Sequence, residues 1–555
     1  MANHSKDPKY TYQGRKFPHD LSHNLKFTSS VGQLIPVMHD LLYPGDHVRV
    51  KPMLFSRMAD LETSAFTRLR EHIEYFFVPM NQILTSFPQF IYGVGKSNSS
   101  LVDSSGTPCI PTLDTTVDYT TQLTGTDMFG MTYEDNAVRL LDMLGYSKDC
   151  KSNALSTQKM GVNVLPICAY HKVFYDFYAI NDRTNINPYL WNLDDCISTG
   201  IVMFGTGRPT KDFFNLHYRP YMHDYYTDMK VSPLESGASF NANSNIGNRI
   251  NNWLGTRSNF PISDPSGAVA TTSSDGTQVR YPKASGHNYI EYQDLSTANI
   301  RAMFAVEKLM EITRRAKKDY SHQTLAHFGT SVNEGISGRA YKLGSITQDL
   351  NISDVDATAA STDLSGTMTT ILGQQGGKGV TSQVDRVDRF VEFTAPCHGI
   401  LIGIYSAEPI IDYPDTMVAR INTYVNREDF FIPEYDHLGM QPVFGYELNA
   451  INTSQRSTVF GWQYRYQESK QKFNRITTGF NTTGLSAWTT VRDSVYFGNT
   501  ESSFYISPEY LNRIMLVNYD NTDQGTDPLR HSLDFIYFKS SVMSNFSLPQ
   551  LSGNQ

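Results

Sequence analysis

The chain has 555 residues, of which 18% are charged and 12% aromatic, and its formal net charge is −8. That acidic balance argues against a dedicated nucleic-acid coat with a uniformly basic face, but leaves room for local basic spots. The five cysteines (Cys109, Cys150, Cys168, Cys196 and Cys397) are odd in number, widely spaced and without a CxxC, which excludes a zinc knuckle or a disulfide framework.

Charge falls below the roughly one quarter of an average globular protein. Tyr, Phe, Asn, Ser and Thr take its place, as suits strands, long ordered loops and broad contact surfaces. Length alone suggests several domains, with one β-rich domain carrying large insertions as the rival. Residues 1–20 have no apolar core and are no signal peptide. No run of about eighteen apolar residues occurs, so no membrane insertion is expected.

The first twenty residues read as a polar arm carrying Lys6, Lys9, Arg15 and Lys16. Pro44-Gly45-Asp46 marks a turn, after which "HVRV" enters a strand. Residues 68–79, "RLREHIEYFFVP", predict a strand with Leu69, Ile73, Tyr75 and Phe77 on one face. Glu71 interrupts that face, and Arg70, His72 and Glu74 point the other way. A Gly/Ser/Thr/Asp-rich stretch at about 93–130 reads as an insertion. "EDNAVRLLDMLGY" predicts a short amphipathic helix capped at Gly145. "LPICAYHKVFYDFYAINDRT" places Ile167, Tyr170, Val173, Phe174 and Phe177 at helical spacing, a stripe best read as packing.

After "RPYMHDYYTDMK" (219–230), residues 231–294 lose periodicity and read as a large insertion, too long for an ordinary connection. The spacing predicts a helix over 296–318, capped by Ser296 or Thr297. Ile300, Met303, Phe304, Val306 and Met310 lie toward one side of it. Arg314, Arg315, Lys317 and Lys318 suit its C-terminal dipole. "HQTLAHFGTSV" follows, then a third polar excursion at 345–385. "VEFTAPCHGILIGIYSAEP" predicts buried strands bounded by Pro396 and Gly399. "VFGWQYRYQ" predicts a strand burying Phe460, Trp462, Tyr464 and Tyr466 on one face, with Gly461, Gln463, Arg465 and Gln467 on a polar one. The long aromatic passage between these strands is too apolar for a solvated linker. Leu533, Phe535 and Tyr537, alternating with Asp534, Ile536 and Phe538, predict a last strand.

Several of these segments, in this order, resemble the major capsid protein of small single-stranded-DNA bacteriophages of the microvirus group, especially its gokushovirus-like branch. They are Phe17 with Asp20-Leu21-Ser22-His23, then Gly32 with Leu34-Ile35-Pro36, Pro44-Gly45-Asp46, "YFFVP" and "RPYMHDYYTDMK". "GILIGIYSAEP", "DFFIPEYDHLGMQPV", "VFGWQYRYQESKQKFNRITTGF" and the "LPQLSG" ending complete the series. Pro18-His19 is inserted relative to the family pattern, and "KKDY" (317–320) stands where "G-x-R-Y" is usual, so the chain resembles a divergent branch.

The resemblance implies a mainly β fold: a single eight-stranded antiparallel jelly roll of the viral capsid type, residues 21–555, with large inserted loops and a few helices. It implies a structural subunit, not an enzyme, about sixty copies of which form a T=1 shell around circular single-stranded DNA. It also implies a virion location after assembly in the host bacterial cytoplasm, and an inserted loop that meets the host-cell surface. With a net charge of −8, a small basic DNA-binding protein is the expected partner for the genome. Candidate DNA-facing residues are Lys6, Lys9, Arg15, Lys16, Arg314, Arg315, Lys317 and Lys318. Candidate intersubunit contacts are Tyr413, Tyr424, Phe430, Phe431, Tyr435 and Phe444.

No catalytic, cofactor or metal signature emerges. Gly95-Lys96-Ser97 lacks the upstream glycine of a phosphate loop, since Phe90 holds that position. "GQQGGKG" (373–379) has the glycines of a flexible loop. His322 and His327 are five apart, the wrong spacing for two ligands on one helix face. A carbohydrate-binding or carbohydrate-cleaving β-sandwich is the rival reading, with Glu392, Glu408 and Glu434 as possible acids.

Overall fold

The computed structural model describes residues 15–62, 65–92, 110–114, 116–151, 162–180, 183–197, 199–233, 259–261, 271–272, 279–280, 291–293, 297–317, 319–356, 360–362, 368–370, 374–380, 390–414, 419–436, 439–448, 458–481, 485–491 and 501–544. Its principal elements, in chain order, begin with β1 (Phe17–Asp20), β2 (His23–Ser29), β3 (Ile35–Leu42), β4 (His47–Met58) and β5 (Leu69–Pro79). Four helices follow: α1 (Tyr133–Met143), α2 (Leu165–Val173), α3 (Thr297–Arg315) and α4 (Tyr320–Phe328). Strands β6 (Tyr341–Asp356), β7 (Gln374–Val380), β8 (Val391–Thr394) and β9 (Gly399–Pro409) come next. The series ends with β10 (Met440–Phe444), β11 (Val459–Tyr464) and β12 (Leu529–Ser541).

The long strands form an antiparallel β-sandwich. In one sheet β12 lies between β4 and the successive short strands β1 and β2. The far edge of β4 is filled by β8 at its start and β7 near its end. In the other sheet the order is β3–β9–β5–β6. The far end of β6 also pairs with β7, joining the two sheets along one side. Strand β12 alternates strictly, burying Leu529, Leu533, Phe535 and Tyr537 while Arg530, Asp534 and Phe538 face outward. This is the period of two that its sequence predicts.

Strand β9 is buried along its whole length, because apolar layers cover both of its faces. Leu401 and Tyr405 join the core between the sheets, with Leu54, Ile73, Tyr75 and Phe535. Ile400, Ile402 and Ile404 face a second core made with Leu140 and Leu141 of α1 and Ile167, Tyr170 and Val173 of α2. The outer side of the second sheet is thus roofed by helices, and β9, covered on both faces, reads as a continuous apolar run. The roof is pinned by Arg139 of α1, whose Nη1 and Nη2 donate to Asp527 at 2.8 and 3.2 Å; both side chains are buried. Helix α1 starts at Thr132, whose hydroxyl caps Asp135, and the chain leaves it through Gly145 at φ +72.

Several expectations change. Residues 345–356 and 374–380 are strand, not excursion. Gly376, Gly377 and Gly379 of "GQQGGKG" therefore lie in β7, whose ladder bonds need no side chain, and Gly373 lies outside the described residues. Residues 17–20 of the expected arm pair with β12. The part of 93–130 that is described contributes Leu113, Tyr119 and Leu123 to the second core. In β11 the predicted faces are reversed: Gly461 and Gln463 are buried, Phe460 and Trp462 are half-buried, and Tyr464 is exposed. The reason is local packing. A Cβ at Gly461 would stand 3.0 Å from Met229 Cβ, so glycine lets that segment pack closely on the strand, while Gln463 Nε2 donates to the Tyr225 carbonyl. Tyr466, beyond β11 at φ +59, is buried as its place in the pattern predicts.

Candidate assembly and nucleic-acid surfaces

Three distant segments meet at a buried polar junction. Gly32 donates its N–H to the Ala407 carbonyl (2.9 Å) and accepts from the Arg219 N–H (2.6 Å), while Ile506 N–H donates to the Arg219 carbonyl (3.0 Å). The Arg219 guanidinium then enters the sandwich edge, with Nη1 2.8 Å from Glu74 Oε2 and Nε 3.4 Å from Glu408 Oε2. Lys342 Nζ (2.6 Å) and the Tyr178 hydroxyl (2.5 Å) also donate to Glu74, and His72 Nε2 lies 3.0 Å from Glu408. Burial alone raises the pKa of Glu74, but Arg219 and Lys342 outweigh it and hold the carboxyl at about 2. Glu408 is likewise held low against the cost of burial, by His72 and Arg219.

Glu71, the residue that interrupts the predicted face of β5, is buried and bonded by the Tyr405 hydroxyl (2.8 Å) and Gln348 Nε2 (2.5 Å). Burial pushes its carboxyl up and pushes neighbouring His531 down to about 3. Sequence reasoning missed this network. Its one visible signal was charge at inward strand positions.

The candidate acids of a sugar-cleaving site are not brought together. Glu392 on β8 is half-exposed and paired with Arg49 of β4 at 2.8 Å. Glu408 sits in the other sheet, and Glu434 is exposed in the passage after β9. His322 bonds Asp319, and His327 faces Thr313. Among the described residues no group of His, Cys, Asp or Glu is arranged to hold a metal, and no helix is long and apolar enough to cross a membrane. Lys6, Lys9, Lys318 and the Gly95-Lys96-Ser97 stretch lie outside the described residues.

Of the basic candidates, Arg15 lies over the Phe17 ring at 5.7 Å and Lys16 donates to the Gly45 carbonyl. Arg314 donates to the Pro233 carbonyl, Arg315 pairs with Glu311 one turn back, and Lys317 is half-buried with its pKa lowered by burial and by Arg339. The α3 cluster is therefore largely engaged within the subunit. On the same hairpin Phe304, Leu309, Tyr320, Leu325 and Phe328 are exposed, so Phe304 does not pack inward as its spacing suggested.

The aromatic passage splits in two. Tyr413 is fully buried, its hydroxyl donating to Asp224 at 2.6 Å and its ring against Tyr226 and Phe473. It belongs to the subunit's own core and leaves the set of candidate contacts. Tyr424, whose hydroxyl donates to Glu468, is half-buried, as are Tyr435 and Phe444. Phe430 and Phe431 are 56% and 60% exposed, beside Ile421 and Val425 at 54% and 83%. Arg420, anchored to Glu447 (2.9 Å) and the Pro442 carbonyl (2.6 Å), fixes the base of this knob.

Comparison with known proteins gives one consistent result. The family model described as capsid protein (F protein) matches residues 10–527. The chain is 22% identical to capsid protein VP1 of Bdellovibrio phage phiMH2K, over 84% of this chain and 83% of that protein. It is 22% identical to capsid protein VP1 of Chlamydia phage 1 (85% and 86%) and to that of Spiroplasma virus 4 (80% and 79%).

Proposed function

Because the chain belongs to the phage capsid protein (F protein) family, a structural component of the phage virion, we propose that about sixty copies close into a T=1 shell around a single-stranded DNA genome. The observation that carries this reading is the family match across residues 10–527. The strand order supports a jelly roll. Counting eight sandwich strands along the chain, with β1 and β2 sharing one position and β7 and β8 another, the sheets run 1-8-3-6 and 2-7-4-5. Such a fold commits its strands to two sheets and leaves long loops for symmetric contacts. The subunit is read as non-enzymatic, and nothing favours the carbohydrate reading. A net charge of −8 supports a small basic protein as helper in neutralising the genome. One of the insertions is proposed to reach the host surface.

Closed shells repeat one contact many times, and an exposed apolar cluster can anchor that contact at each copy. Phe430 and Phe431 fit that role. The double variant Phe430→Ala/Phe431→Ala is expected to keep the subunit's melting curve and to sediment as small species where the parent forms shells. Shells at normal yield, or a variant that is simply unfolded, overturns this assignment.

A further inference from the structure

We propose that the outward face of the first sheet, formed by β2, β12 and β4, is a stacking platform for single-stranded nucleic acid; this rests on the reading of the chain as a genome-enclosing subunit. The second sheet is roofed by helices. Among the described residues, the outer positions of the first sheet bring exposed rings and cations together.

Register places Lys26 of β2, Ser532 of β12 and Phe55 of β4 in one row across three strands. Thr28, Arg530 and Arg57 form the next. Direct neighbours in such rows stand about 5 Å apart and diagonal ones about 7–8 Å. Phe55, 39% exposed, therefore has cationic side chains around it on the same face. Phe55, Arg57, Met58, Arg530 and Ser532 line a shallow depression of about 440 Å³, within the ~300–1,000 Å³ span of small-ligand sites. Six residues along β4 the motif recurs. Phe538, also 39% exposed, stands opposite Arg49, and the Arg49 guanidinium lies 4.5 Å over the Phe390 ring with Lys51 Nζ at 6.0 Å. The two aromatic sites are about 20 Å apart along the strands.

Rings flanked by guanidinium and ammonium groups on an open sheet are what sequence-tolerant single-strand binding requires: a π face for the base and a cation for the phosphate. Among the described residues, four acidic groups border this face. Asp20, opposite Phe538, accepts from Ser22, Asp534 is held by Asn24 Nδ2 at 2.6 Å, Glu392 is paired with Arg49, and Asp60 lines the depression. An overall acidic subunit thus carries a local surface suited to a strand of about three or four nucleotides.

The test is fluorescence anisotropy of a labelled oligothymidylate with the full-length protein over a salt series, with shell formation scored in parallel by electron microscopy. The parent is expected to show a shallow log–log salt slope, near −2 to −3 for three or four phosphate contacts at about −0.7 each. Phe55→Ala should weaken binding roughly 5- to 150-fold, the range for losing one stacked base, with the slope unchanged, and Phe55→Trp should restore it. Lys26→Gln/Arg530→Gln should reduce the slope by about 1.4, whereas Arg314→Gln/Arg315→Gln should change nothing. Unchanged binding in the Phe55 and Lys26/Arg530 variants overturns the proposal, as does a loss that follows the α3 pair instead. If those variants bind normally and still form shells, only this platform falls. If the parent never assembles, the capsid reading falls, while the oligonucleotide data still decide the platform.

Discussion

Gly32→Ala is the sharpest probe of the junction that joins sandwich and roof. Gly32 sits at φ +77, and a Cβ there would stand 2.5 Å from the Ile506 carbonyl oxygen and 2.7 Å from its Cβ. The left-handed backbone costs an L-residue about 1–2 kcal/mol. The steric conflict cannot be relieved by a rotamer change, because the nearest atom is backbone; overpacking of that kind costs about 1–3 kcal/mol. Together about 2–5 kcal/mol is expected, against a total stability of about 5–15 kcal/mol for a typical domain. Gly45 supplies the control. It lies at φ +84 with nothing within 4 Å of the virtual Cβ, so Gly45→Ala should cost only about 1–2 kcal/mol. Urea unfolding of the subunit followed by tryptophan fluorescence compares the two. Equal midpoints and slopes for both variants would refute the tight approach of Ile506 and the view that Gly32 fastens the junction.

Other outcomes follow from the same network. Arg219→Met leaves Glu74 and Glu408 buried without their shared cation, and a loss of roughly 3–5 kcal/mol in urea unfolding is expected; a loss under about 1 kcal/mol would show that Lys342 and His72 suffice. Stability should also fall with acid. Glu74 titrates at about 2 in the fold, below its unfolded value, so its contribution is complete above about pH 4.5 and is lost as pH drops toward 2. His531 is held neutral down to about 3, so the unfolded chain takes up its proton first and stability declines from about pH 6.5 downward. Glu71, which burial raises, works in the opposite sense and softens the decline. A urea midpoint that stays flat or rises from pH 7 to 4 contradicts this balance.

Much of the fold was legible because strands and helices repeat simply. β12 alternates as written, α1 ends at Gly145, and β9 reads as an unbroken apolar run because two cores cover it. The failures share one cause. In β11 the pattern of ring and small polar residue suggested buried rings, but Gly461 packs closely on Met229 and Gln463 bonds Tyr225, so that side turns inward and Phe460 and Trp462 stay half-buried. β7 was read as a loop because glycine has no side chain to show a period, yet its backbone completes the sheet. Tyr413 looked like the rest of its aromatic passage, and only tertiary packing separates it from Phe430 and Phe431. The basic residues of α3 stood out as a run in sequence, whereas Lys26, Arg57 and Arg530 lie on three strands and become neighbours only through register.

Particle size of the purified protein bears most directly on the capsid assignment, measured by light scattering and then negative-stain imaging. Uniform shells on the order of 25–30 nm are expected for about sixty subunits at ordinary protein packing density. A monomer or trimer that persists at every salt and pH, with no shell on addition of single-stranded DNA and a small basic protein, would contradict it.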